Sequence, residues 1–291
     1  MGQSFSEWNM RLLLKNKSVM ACIFLLGAGR LAAAPALGAA SYAEMPVAGD
    51  SLLWLLAAAI FAVAVLYSSV GHAGASGYIA IMSLVHLAPA FIKPAALTLN
   101  IGVAGVAAWK FYRAGHFSWR LFWPFAVLAI PCAWFGGWFS LPASAFEMLT
   151  GAILLFSAWR FITNPPPDEP QGLPPIPVAL GIGAVLGFLA GLTGTGGGIF
   201  LTPLLLFARW SKAKTAAAVS ALFILFNSCA GLLGGAGAAQ QVFSSVWPLL
   251  GAALAGGFIG ASLGSTRLPH SAIKKCLAAL LLVAGLKLVL A

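Results

Sequence analysis

In SSVGHAGASGY (Ser68–Tyr78), and again in GLTGTGGGIFL (Gly191–Leu201), glycines alternate with hydroxyl or imidazole side chains inside long apolar runs. Glycine adopts left-handed backbone angles and lets other atoms approach the chain closely. A helix that restarts after such a break aims unpaired N–H groups, with partial positive charge, into the space before it. That arrangement is a nest for an anion. Thr193, Gly194, Thr195, Gly196, Gly197 and Gly198 form one candidate substrate nest, and His72, Gly74, Ser76 and Gly77 the other. For any one glycine, close helix packing is the simpler reading. For a duplicated cluster with interleaved hydroxyls a site is favoured, because irregular backbone at membrane depth survives only inside protein or beside water.

Asn100 and Asn227 join the candidates, each lying in the third apolar segment of its half. Their amides suit a substrate oxygen or a bond to a neighbouring helix equally well. His72 is the one titratable group inside a break, while His86 and Lys93 read as interfacial. GASG at Gly74–Gly77 matches the GxSG of intramembrane serine proteases, with Ser76 as nucleophile. A four-residue motif without a base in the facing half is weak support for an enzyme, and none is expected. A metal-ion permease on His72 and His86 lacks carboxylates or thiolates for a first shell, so no metal or cofactor is expected.

The elements that must hold these residues are transmembrane. Apolar residues make up 61% of 291, charged residues 8%, and mean hydropathy is +0.96. Too little charge is present to cover a soluble domain, so the chain is expected in the bacterial inner membrane with multiple passes. The basic residues behind the net charge of +10 cluster in short stretches between apolar segments, the pattern of cytoplasmic loops, so no nucleic-acid partner is expected. Cys22, Cys132, Cys229 and Cys276 stand singly and read as packing residues. The expected partners are a small anionic substrate and the lipid bilayer, with homo-oligomerisation left open.

Five apolar segments, a linker and five more segments suggest a duplication. Sliding the sequence by 124 residues lays Gly74 on Gly198, Trp123–Pro124 on Trp247–Pro248 and Gly136 on Gly260. Lys110, Arg113, His116 and Arg120 follow the third segment of the first half, whereas the matching Gly234–Ser245 has no cation. The reverse holds after the fourth segment, where only the second half carries Arg267, Lys274 and Lys275. Opposite charge bias predicts two inverted repeats, each a Gly-broken helix pair plus three transmembrane helices. The first repeat spans residues 52–162, the Pro-rich cytoplasmic linker 163–177, and the second repeat 178–291. Residues 1–43 read as a signal peptide or an extra N-terminal helix. Gly183, Gly187 and Gly191, and likewise Gly256, Gly260 and Gly264, repeat at the four-residue spacing of close helix seams.

GLTGTGGGIFLTPLLL in the second half and VGHAGASGYIAIMSL in the first, each followed by a small-residue helix with an asparagine, resemble the TauE/SafE sulfite-exporter family of permeases. The resemblance covers Leu52 to Ala291. It implies a multi-pass permease for sulfur-containing anions such as sulfite, sulfoacetate and other sulfonates. Gly194, Gly196–Gly198 and Pro203 carry it, with Gly71, Gly74 and Gly77 matching more loosely.

Overall fold

A backbone in lipid must satisfy its polar groups within its own segment, so long apolar runs become helices. The computed structural model describes residues 50–85, 87, 89–139, 144–163, 165–166, 169–235 and 246–290, all within one compact unit. Among these the chain is all helical. Helices α1 (Asp50–Ser69), α2 (Ala75–Leu84), α3 (Pro89–Arg113), α4 (Trp119–Gly137) and α5 (Ser144–Thr163) form the first half. The second half holds α6 (Ile176–Thr193), α7 (Gly198–Phe207), α8 (Ala213–Gly234), α9 (Trp247–Ser262) and α10 (His270–Leu290). A π-helical turn, Leu263–Arg267, extends α9. Six of these helical stretches are long and apolar enough to cross a membrane, whereas α2 and α7 have ten residues each. The expected signal peptide or extra helix at 1–43 lies outside the described residues.

Both expected breaks are present. Gly194 closes α6 at φ 76°, and Gly196 and Gly197 follow at 76° and 77° before α7 begins. Gly71 and Gly74, at 80° and 107°, separate α1 from α2. A side chain at these left-handed positions would cost about 1–2 kcal/mol each. Helix α2 starts at Ala75, directly after its cap Gly74. Helix α6 starts at Ile176 rather than Val178, since Pro177 fits a first helical turn where no N–H is needed.

Two glycine seams fix how the helices lie together. Atoms added at Gly183, Gly187 and Gly191 would strike the backbone carbonyls of Phe125, Ala129 and Ala133 in turn. Positions rise together along both chains, so α4 and α6 run parallel in near backbone contact. Gly256, Gly260 and Gly264 do the same against Phe61, Val65 and Ser69, which makes α1 and α9 parallel. Ser68 Oγ, at hydrogen-bond distance from the Ala64 and Gly257 carbonyl oxygens (2.6 and 3.0 Å), reinforces that seam. Helices α3 and α8 are antiparallel: Asn100 meets Ser228, Ala107 packs with Ala221, and Phe111 with Ala217 and Ala218. Gly231, further along α8, reaches Leu97 near the start of α3.

Candidate functional site

The two breaks touch each other beside the middle of α3 and α8. His72 Nε2 donates to the carbonyl oxygen of Gly198, the first residue of α7, at 2.9 Å. Because that carbonyl can only accept, the hydrogen sits on Nε2. Thr202 Oγ1 lies 3.2 Å from the same nitrogen and passes its own hydrogen to Ser220 Oγ at 2.7 Å. His72, Thr202 and Ser220 are all buried, and this chain ties the first break directly to α7 and α8.

The second break presents the more open chemistry. Phe200 and Leu201 bond back to Gly197 O, but no described hydrogen bond consumes the N–H of Gly196, Gly197, Gly198 or Ile199. These are the orphan donors that begin a helix. Beside them lie side chains from α3 and α8. An atom added at Gly196 would come 3.0 Å from Ser228 Oγ and 3.1 Å from Asn100 Nδ2. Asn100 donates to Ser228 Oγ at 3.4 Å, and its Oδ1 has no partner. Asn227 is fully buried, and neither its Oδ1 nor its Nδ2 is bonded among the described residues. Phe223 touches the Gly197 position and Gly231 the Gly191 position. Asn227 is one helical turn from each, so it sits on the same face of α8. Burying such groups unpaired costs about 1–3 kcal/mol each. A polar occupant would remove that cost.

The threonines are committed elsewhere. Thr193 Oγ1 donates to Leu189 O at 2.7 Å and accepts from Thr195 Oγ1 at 2.8 Å. Their hydrogens are therefore used within the break, which leaves backbone amides as the free donors. In the first break Ser76 Oγ donates to Tyr67 Oη at 3.0 Å, and no histidine among the described residues serves it as a base. The GxSG reading thus finds no nucleophile–base pair. Tyr78 Oη donates to Ala73 O at 2.6 Å, and its ring fills the space over Gly74. Val63 and Tyr67 fill the space over Gly77.

Neither break carries an acid in its own sequence: no Asp or Glu occurs between Asp50 and Glu147 or after Glu169. No three His, Cys, Asp or Glu side chains converge as a metal site among the described residues. His86 is outside them.

Sequence reasoning overlooked several neighbours. Thr202, Ser220 and Ser228 were visible only as isolated polar residues in apolar runs. Lys93, read as interfacial, packs its stem on Gly194 and gives its ammonium to the Gly137 and Phe139 carbonyls. Its signal was being the one Lys or Arg between Arg30 and Lys110.

Residues 55–288 match the family described as sulfite exporter TauE/SafE. The chain belongs to that family. It is 41% identical over 239 residues to the probable membrane transporter protein y4hK of Sinorhizobium fredii, a match covering 80% of this chain and 96% of the relative. No solved structure matches it. Like its TauE/SafE relatives the protein is a multi-pass membrane transporter and not an enzyme. The family match includes both breaks and every helix that lines them.

Proposed function

We propose that this TauE/SafE protein is a secondary transporter of a small oxyanion, sulfite or an organosulfonate, bound where the two helix breaks meet. The observation that carries the reading is the row of uncommitted amides from Gly196 to Ile199, beside buried Asn100 and Asn227 with unbonded polar atoms. Amide donors in breaks that carry no carboxylate of their own favour an anion over a cation. The positive ends of α2 and α7 add to that preference. The family's description as sulfite exporters agrees with the substrate class.

An alternating mechanism is supported by reading the two halves as inverted repeats, as the opposite charge bias of their loops suggests. Exchanging the halves turns the α1–α9 pair into α6–α4 and α3–α8 into itself. A two-fold axis that swaps antiparallel α3 and α8 must lie perpendicular to them, which in a bilayer is the membrane plane. Lys110, Arg113, Lys212, Lys214 and Arg267 belong to one end of this arrangement, and the positive-inside rule makes it cytoplasmic. Rocking one half against the other would expose the junction to each side in turn, with the His72–Gly198 bond as a contact between them.

Counterflow in proteoliposomes tests this. Liposomes holding the pure protein and unlabelled sulfite should accumulate external radiolabelled sulfite in a saturable, trans-stimulated burst. Absence of exchange for sulfite and for a panel of organosulfonates, from protein shown to be folded, would overturn the proposal.

A further inference from the structure

We infer that Lys93 is the cation that draws the anionic substrate into the second break from the end where α4 and α6 finish, a role that rests on the transport reading above. The lysine lies at the mouth of that break. Its Cγ is 3.1 Å from where an atom on Gly194 would sit, and Gly194 is the first left-handed glycine of the break. Its ammonium reaches Gly137 O at 3.4 Å and Phe139 O at 3.2 Å. These partners are neutral carbonyls, so among the described residues the charge is left whole. From Lys93 to Asn100, which flanks Gly196, α3 rises about 10 Å. One short path therefore runs from the cation past Gly194 to the open amides.

The opposite end shows why one charge matters here. Lys214 opens α8 as Lys93 opens α3, and it too donates beyond the fourth helix of its own half, to Ser265 O at 3.3 Å. Around it the sequence supplies Lys110, Arg113, Lys212 and Arg267. At that end an anion meets a field built by many cations. At the Lys93 end, no other Lys or Arg occurs between Arg30 and Lys110 or between Arg120 and Arg160. Lys287, in the last turns of α10, is the other cation toward that end, so local attraction beside the second break rests chiefly on Lys93.

A lysine against the last carbonyls of a helix is also a C-cap, and the test must separate the two roles. Lys93→Gln keeps a donor for Gly137 and Phe139 but removes the charge. Sulfite counterflow by K93Q should show KM raised about tenfold with Vmax within about twofold, as expected for loss of one nearby partly screened charge. Added salt should raise KM for the unaltered protein and leave K93Q nearly flat. K93R should restore both. K93C gives an independent arm: a thiol reagent adding an ammonium should lower KM and one adding a sulfonate should raise it, with the unaltered protein as reagent control. An unchanged KM and salt response in K93Q, or equal effects of the two reagents on K93C, would reduce Lys93 to a cap and overturn the inference. These results leave the transport reading intact, whereas absence of sulfite flux in the unaltered protein removes both.

Discussion

The two helix breaks occupy matching places in the two halves yet differ in what surrounds them. Around the first, aromatic side chains of its own helices close the gap: Tyr78 covers Gly74 and bonds Ala73 O, while Tyr67 covers Gly77 and receives Ser76. Around the second, the neighbours are polar groups from α3 and α8, and the amides from Gly196 to Ile199 stay unbonded. A duplicated backbone event thus carries unequal chemistry. Glycine makes the break in both places, and the side chains packed over it determine whether it is filled from within or left for a ligand. His72 joins them, reaching from the filled break to the first carbonyl of the open one.

The sharpest way to break this comparison is to put a methyl group into each. Gly196→Ala meets Ile224 Cγ2 at 2.7 Å besides Asn100 and Ser228, at a left-handed φ. Exchange should fall by about a hundredfold, since strain of a few kcal/mol falls on the cradle itself. Gly74→Ala meets the ring of buried Tyr78 at a left-handed φ and should lower thermal stability while leaving exchange per folded molecule within about threefold. Equal losses of exchange would mean that the breaks do the same work. Next in size, Gly191→Ala pushes on the Ala133 carbonyl in the α4–α6 seam and should destabilise by about 2 kcal/mol in a thermal-shift or denaturant assay.

A tenfold effect is expected from Asn227→Leu. Its polar atoms have no partner among the described residues, so stability should hold or rise while KM for sulfite increases by about tenfold. If stability falls instead, Asn227 serves packing and not the ligand. The smallest change belongs to Ser76→Ala, which removes the bond to Tyr67. It should cost under about 1 kcal/mol and leave exchange near normal, because the first break is filled without it.

Much of this architecture was legible in the sequence, for physical reasons tied to glycine. The 124-residue offset aligned the breaks, and triplets at four-residue spacing marked the α4–α6 and α1–α9 seams. Both are local requirements of backbone geometry, so they are written locally. Contacts across the halves were not readable. That His72 reaches Gly198 and Thr202, or that Lys93 lies against Gly194, depends on how helices far apart in sequence settle in register. The hydroxyls of Thr193, Thr195 and Ser76 were expected to face substrate, and only the folded chain revealed that their hydrogens are already engaged. Asn100 and Asn227 were read as equally suited to a substrate oxygen or a helix contact; among the described residues atoms of both side chains are unbonded, which is why the proposed site includes them.

Selenite is a heavier oxyanion of the same shape as sulfite, and its anomalous scattering locates it directly. In crystals of the protein soaked with selenite, the principal anomalous peak is predicted within hydrogen-bond reach of the Gly196–Ile199 amides, beside Asn100 and Asn227. A principal peak at the Gly74 break or elsewhere, in protein that still exchanges sulfite, would contradict the account.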